Sequence, residues 1–181
     1  MVQDDFDRSA FDKAVRNFEK AAECCSQGRF AAAKDLLLKG IKACPEHSES
    51  HRLLGQIYFQ EGESEKAVNT VLEALRIDPK NMWALILMGN IFAKDKDKVD
   101  VAEKYYKRVL EYYPDNAIAI NNIAGVYLQR GDYENGIKYM QKSLELDSTY
   151  LNSYYGLALA YYKKDNLNKA FEIALSSTSP Y

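Results

Sequence analysis

Residues 48–79 read SESHRLLGQIYFQEGESEKAVNTVLEALRIDP. Within them His51, Leu54, Gly55 and Tyr58 fall at i, i+3, i+4 and i+7, one stripe of an α-helix. Gly62 interrupts the pattern, and Ala67, Val68, Val71, Leu72 and Leu75 form a second stripe. Asp78-Pro79 closes that second helix, because proline has no amide hydrogen and disfavours helical geometry in the residue before it. Two helices of about a dozen residues joined at a glycine make a hairpin that cannot bury both its faces alone. Gly55 and Ala67 are small where the two helices must approach, since a large side chain there would hold the axes apart.

The arrangement repeats on both sides of this stretch. Pro45 and Pro79 are 34 apart, as are Ala33 and Ala67, Cys24 and Tyr58, Gly28 and Gly62, and Gly55 and Gly89. The next step is 35, from Pro79 to Pro114, Ala67 to Ala102 and Phe92 to Tyr127. Then 34 returns, from Gly136 to Ala170, Ile123 to Leu157 and Tyr127 to Tyr161. This register predicts an N-terminal extension over 1–13 leading into the first helix, then five copies at 14–47, 48–81, 82–116, 117–150 and 151–181, the last truncated. Helix crossings are expected at Ala33, Gly55/Ala67, Gly89/Ala102, Ala124/Gly136 and Ala158/Ala170. The extra residue of the third copy lies in Lys94-Asp95-Lys96-Asp97-Lys98-Val99-Asp100, which reads as a longer solvated turn.

The spacing His51-x2-Leu54-Gly55-x2-Tyr58, then Ala67-x3-Val71, then Pro79 resembles the tetratricopeptide repeat. The third copy carries Leu85, Met88, Gly89, Phe92, Ala102, Tyr106 and Pro114, and the fourth Ile120, Ile123, Ala124, Tyr127, Gly136 and Met140, with Ser148 in place of proline. The resemblance covers residues 14–181. It implies an all-α fold, a right-handed α-solenoid of about five antiparallel helix-turn-helix hairpins. It also implies a scaffold or adaptor that binds a protein or peptide. Two other roles fit the same fold: a regulatory or docking module of a larger enzyme, and a secretion-type chaperone.

Composition narrows the partners. The formal net charge is -2, with 24 Lys and Arg against 26 Asp and Glu, so no basic footprint exists for nucleic-acid phosphates. Met1-Val2-Gln3-Asp4-Asp5 has no apolar core of a secretory leader. No apolar run reaches the roughly 18 residues that span a bilayer. The three cysteines, Cys24, Cys25 and Cys44, suit reduced thiols. A cytoplasmic protein without membrane attachment is the expectation.

A search for chemistry finds little. Cys44, His47 and His51 have the spacing C-x2-H-x3-H, superficially that of zinc ligands. His51 takes the stripe position usually filled by a large aromatic, however, and no fourth ligand lies nearby, so these residues are read as packing and no metal is expected. Glu49 is misplaced for an H-E-x-x-H site, and no nucleophile elbow or phosphate-binding glycine loop occurs. With both histidines in one short stretch, a nucleophile has few bases. Cys24 and Cys25 are read as small core residues. Neither an enzymatic activity nor a cofactor is expected.

Binding is easier to place. The resemblance implies that first helices line the concave side of a superhelix, so helix positions off the hairpin stripe should face a groove. The candidates are Arg52, Gln56 and Phe59 in copy two, Trp83, Leu87 and Asn90 in copy three, Asn121 and Asn122 in copy four, and Tyr155 in copy five. A carboxylate clamp of the kind some members use is missing its cations here. Asn90, Asn121 and Asn122 instead resemble the asparagine ladder of certain superhelical members, where amides hold a peptide backbone by donating and accepting at once. Trp83 and Phe59 would supply apolar anchors. No covering helix follows the last hairpin in this sequence, so it is expected to expose Leu157, Tyr161, Phe171 and Leu175, and either to self-associate through them or to gain solubility from a native continuation.

Overall fold

The computed structural model describes residues 7–176, among which every regular element is helical. The chain divides into two compact units, the first ending at Leu87 and the second starting at Met88. In the first, α1 (Arg8–Ser26), α2 (Phe30–Ala43), α3 (Ser48–Gln60) and α4 (Ser64–Ile77) precede α5 (Met82–Ala93), inside which the boundary falls. In the second, the end of α5 leads through a 3-10 turn (Lys96–Lys98) to α6 (Val99–Tyr112), α7 (Ala117–Gln129), α8 (Tyr133–Leu146), α9 (Leu151–Lys163) and α10 (Leu167–Ser176). Helix α1 starts at Arg8, so residues 8–13 of the expected extension are helical; residues 1–6 and the tail 177–181 lie outside the described residues.

The hairpin turns follow from local chemistry. Gly62 has φ +81°, and the next amide, that of Glu63, donates back to the Tyr58 carbonyl at 2.9 Å. A left-handed residue ends a helix in this way, and glycine does so without a Cβ penalty. In the last hairpin Asp165 takes the same role at φ 59°, followed by the Asn166 amide bonding the Tyr161 carbonyl at 2.9 Å. The third copy solves the turn differently: the Asp95 carboxylate accepts from the Asp97 amide at 3.1 Å and pairs with Lys98 at 3.1 Å. Lys98 holds the Asp95 carboxyl below its ordinary range, with help from the Asp97 amide. The longer solvated turn is therefore an ordered 3-10 turn.

First helices are capped as they start. Asn81 Oδ1 accepts from the Ala84 amide at 2.9 Å, and Asn116 Oδ1 from the Ala119 amide at 2.8 Å. Each cap satisfies a main-chain donor that the helix itself leaves unpaired.

In the first unit α1 pairs with α2 and α3 with α4. Ala21, Cys24, Ala33, Leu37, Leu54 and Ile57 form a buried cluster there. Full burial of a leucine such as Leu37 stabilises by roughly 1.5–3 kcal/mol. At the α3–α4 crossing a Cβ on Gly55 would lie inside contact distance of Val71 Cγ2 and 3.4 Å from the Ala67 carbonyl.

In the second unit α7 pairs with α8 and α9 with α10, while α6 packs on α7 and α8 on α9. Val99, Ala102, Tyr106, Ile123 and Val126 form one cluster, and Ala124, Met140 and Leu157 another. Ion pairs latch successive hairpins. Arg130 reaches Asp100 and, at 2.6 Å, Glu103; Lys164 reaches Glu134 at 2.9 Å. Burial would raise the Glu103 carboxyl, but hydrogen bonds from Lys107 and Arg130 outweigh it and hold the group below its ordinary range. The last hairpin is looser: α10 has no buried residue, and Ala158 and Ala170 are only half-buried. Phe171 and Leu175 are exposed as expected, but Leu157 is buried against Ala124 and Met140, and Tyr161 is half-buried against the same cluster, because α9 turns that side toward the preceding hairpin.

Candidate functional site

In the first unit the predicted groove residues have different surroundings. Arg52 Nε donates to Glu49 Oε2 at 2.7 Å, and Asn81 Nδ2 donates to Glu49 Oε1 at 2.6 Å. The guanidinium is thus compensated in place and is not an isolated cation. Gln56 and Phe59 are half-buried on α3. Trp83, near the start of α5, keeps 48% of its surface exposed. Leu87 is buried, so it is a packing residue and offers nothing to a groove.

The second unit contains a cleft of about 380 Å³. Asn121, Asn122, Gly125, Leu128 and Gln129 of α7 face it, opposite Asn152, Tyr155, Gly156 and Leu159 of α9. Ala93, Tyr106, Val126 and Met140 complete its floor and end. A Cβ added to Gly125 would meet nothing within 4 Å, so the helix backbone itself is open to the cleft there. Gly156 is different: its Cβ would lie 2.6 Å from Met140 Sδ, which closes the floor. Tyr155 stands out into the opening with 74% exposure.

The amides are oriented from below. The Tyr106 hydroxyl, on a buried ring, donates to Asn90 Oδ1 at 2.8 Å, and Asn122 Nδ2 approaches the same oxygen at 3.5 Å. Burial pushes the Tyr106 phenol far above its ordinary value, so it stays a neutral donor. Asn122 lines the cleft, while Asn90 stands beside it through their amide contact and outside the lining itself. Asn121 lines the cleft but is buried, and its Oδ1 shares the proton of Ser153 Oγ (3.0 Å) with Ser143 Oγ, also 3.0 Å from Ser153. Ser143 in turn donates to the Ala117 carbonyl at 2.9 Å. Asn121 therefore ties α9 to α7 through its Oδ1 while it lines the cleft. Gly125 and Leu159, first-helix positions off the hairpin stripe, belong to the cleft with Asn122 and Tyr155 as that register expects, whereas Tyr106 does so unexpectedly; its one signal was Gly89, which leaves room for its ring.

The residues with zinc-like spacing are engaged in structure. His47 caps α3: its Nδ1 accepts from the Ser50 amide at 3.3 Å and lies 2.7 Å from Ser50 Oγ. The rings of Phe11 and Phe18 meet it edge-on at 5.5 and 5.7 Å. Burial lowers the His47 pKa, against a smaller opposing pull from Glu49. His51 Nε2 donates to the Pro45 carbonyl at 2.9 Å. Cys24 is in the core, and burial raises the Cys25 thiol, which keeps it protonated. Among the described residues no group of three or more His, Cys, Asp or Glu is placed to hold a metal ion, and no helix is long and apolar enough to cross a membrane.

Comparison with known proteins follows the same register. A family model described as Tetratricopeptide repeat matches residues 115–178, one described as TPR repeat matches 55–96, and a further Tetratricopeptide repeat model matches 83–116. The probable UDP-N-acetylglucosamine–peptide N-acetylglucosaminyltransferase SPINDLY of Hordeum vulgare is 31% identical over 105 residues, 53% of this chain and 11% of that protein. The BBSome complex member BBS4 homolog of Drosophila melanogaster is 23% identical over 176 residues, 93% of this chain and 36% of that protein. The chain thus spans a minor part of the length of these curated relatives. Among solved structures, MamA of Desulfovibrio magneticus RS-1 superposes with a TM-score of 0.74 at 22% identity, covering 92% of this chain and 94% of the other. PilF of Pseudomonas aeruginosa gives 0.84 at 20% identity, covering 94% and 78%. At these identities the likeness is one of fold.

Proposed function

Because the chain belongs to the tetratricopeptide repeat family, we propose that it is a protein-interaction scaffold holding an extended segment of another protein in the cleft between α7 and α9. The observation that carries this reading is the pairing of lining amides with an exposed aromatic. Asn122 and Asn152 line the cleft with amides able to donate and accept, and Tyr155 adds a large apolar face. A helical ligand satisfies its own main chain and has little use for such amides. An extended ligand needs them. Tyr155 and Leu159 then act as the apolar contacts, as aromatic anchors do at binding hot spots. Trp83 is a separate exposed aromatic of the first unit and forms a second contact point for the same partner or another.

A photo-crosslinking amino acid at Tyr155 tests the reading in the source cells. The expected result is a discrete protein adduct at Tyr155 and none at Lys142, an exposed position on α8. Equal adducts at both positions, or none at Tyr155, would overturn it.

One observation favours a second reading. The SPINDLY relative matches this chain over only 11% of its own length, which suits a repeat segment that docks substrates or regulators for a larger protein. Both readings use the same cleft, and the full reading frame in the source genome separates them.

A further inference from the structure

The cleft of the second unit is lined by thirteen residues, and none is Asp, Glu, Lys, Arg or His. Across the chain 28% of residues are charged, so about four would be expected in a set of this size. Its one ionisable group that is buried, the Tyr106 phenol, is held neutral. What remains is amide and hydrocarbon. A charged side chain entering such a site would shed water and meet no counter-charge, a loss that amide dipoles offset only in part. A main-chain carbonyl or N–H group, or a serine, threonine or asparagine side chain, loses little, because the lining amides of Asn122 and Asn152 replace its water partners.

From this lining we infer that the cleft selects a segment that is uncharged over the residues it buries, rejecting acidic and basic side chains alike. This rests on the proposed function and adds the chemical class of the partner. The open backbone at Gly125 leaves room for a ligand side chain, with Tyr155 and Leu159 in the same lining. Binding is driven by apolar contact and neutral hydrogen bonds, so salt has little to screen.

The test is an array of blocked peptides, each roughly fifteen residues long, probed with the full chain. One set contains only uncharged residues; the second repeats those sequences with a single central Asp, Glu, Lys or Arg. Uncharged peptides should be retained, a central charge of either sign should weaken retention at least about tenfold, and retention should hold between about 50 and about 500 mM salt. Preference for one sign of charge, a steep loss with salt, or no retention at all would overturn the inference. Gly125→Leu and Tyr155→Ala, each first verified as folded by its thermal melt, separate the two levels. If either abolishes retention of charged peptides, the cleft is the site and the charge rule is wrong. If both retain every peptide as the parent does, the cleft itself is not the site.

Discussion

Two glycines on first helices of the second unit should respond oppositely to one added methyl group. Gly125 lies in the interior of α7, and its Cβ would meet nothing within 4 Å. Alanine there gains helix propensity of about 1 kcal/mol over glycine at no steric cost. For a chain of this length that corresponds to a rise in Tm of roughly 2–4 °C. Gly89, in α5, faces the Tyr106 ring: its Cβ would lie 2.6 Å from Cδ1, 2.7 Å from Cζ, and nearer still to Cε1 between them. The ring must retreat about 1 Å to reach ordinary contact, yet it is only 2% exposed and its hydroxyl is bonded to Asn90. Overpacking costs about 1–3 kcal/mol and the strained hydrogen bond about 0.5–1.5 kcal/mol, against the same propensity gain. The net effect of Gly89→Ala is a loss of about 1–3 kcal/mol. Thermal and urea melts of the two variants decide it. A destabilised Gly125→Ala, or a Gly89→Ala as stable as the parent, would refute this account of the cleft.

Three further outcomes follow from other contacts. The depressed His47 pKa means that its neutral form stabilises the fold fully above the unfolded value of about 6.5, and that this contribution is lost as pH falls below it toward the folded pKa. Melts between about pH 7.5 and 5.5 should show Tm falling for the parent and flatter behaviour for His47→Asn, which keeps a capping oxygen; parallel curves would contradict the assignment. Ser153→Ala removes the shared donor of Asn121 and Ser143 and should cost about 1–3 kcal/mol in a urea melt, and an unchanged midpoint would show that water fills its place. Trp83→Ala should cost about 1–3 kcal/mol, since half the side chain is buried and half in solvent; unfolding of this variant would make Trp83 a core residue.

The helices and turns were legible because the period of 34 or 35 residues aligns glycines, alanines and prolines whose backbone roles differ. Positions inside a helix were harder to assign. In α5 every residue from Ala84 to Gly89 is buried, so no amphipathic stripe marks which side faces a groove, and Leu87 was placed on the wrong one. Asn121 is an amide like Asn122, and only its hydrogen bond to Ser153, 32 residues away, reveals it as a tie between helices. Leu157 was expected at an open end because periodicity shows a stripe but not which neighbour covers it. Asp165 at a left-handed turn position lay behind the same limit, since the pattern asks for glycine and aspartate is the tolerated exception.

The latches between hairpins impose a grammar on the copies. Arg130 and Lys164 are 34 residues apart, as are their partners Asp100 and Glu134. Each cation ends a first helix and each anion opens the preceding second helix, so α6 and α8 each carry a socket for a hairpin with a basic turn. At the next step stands Asn168, which is neutral. The hairpins are therefore words with an order, not interchangeable bricks. Hairpin α9–α10 spliced directly after α6 would keep a matching pair, whereas α7–α8 appended after α10 would set Arg130 against Asn168 and forgo a contact worth about 0.2–1 kcal/mol.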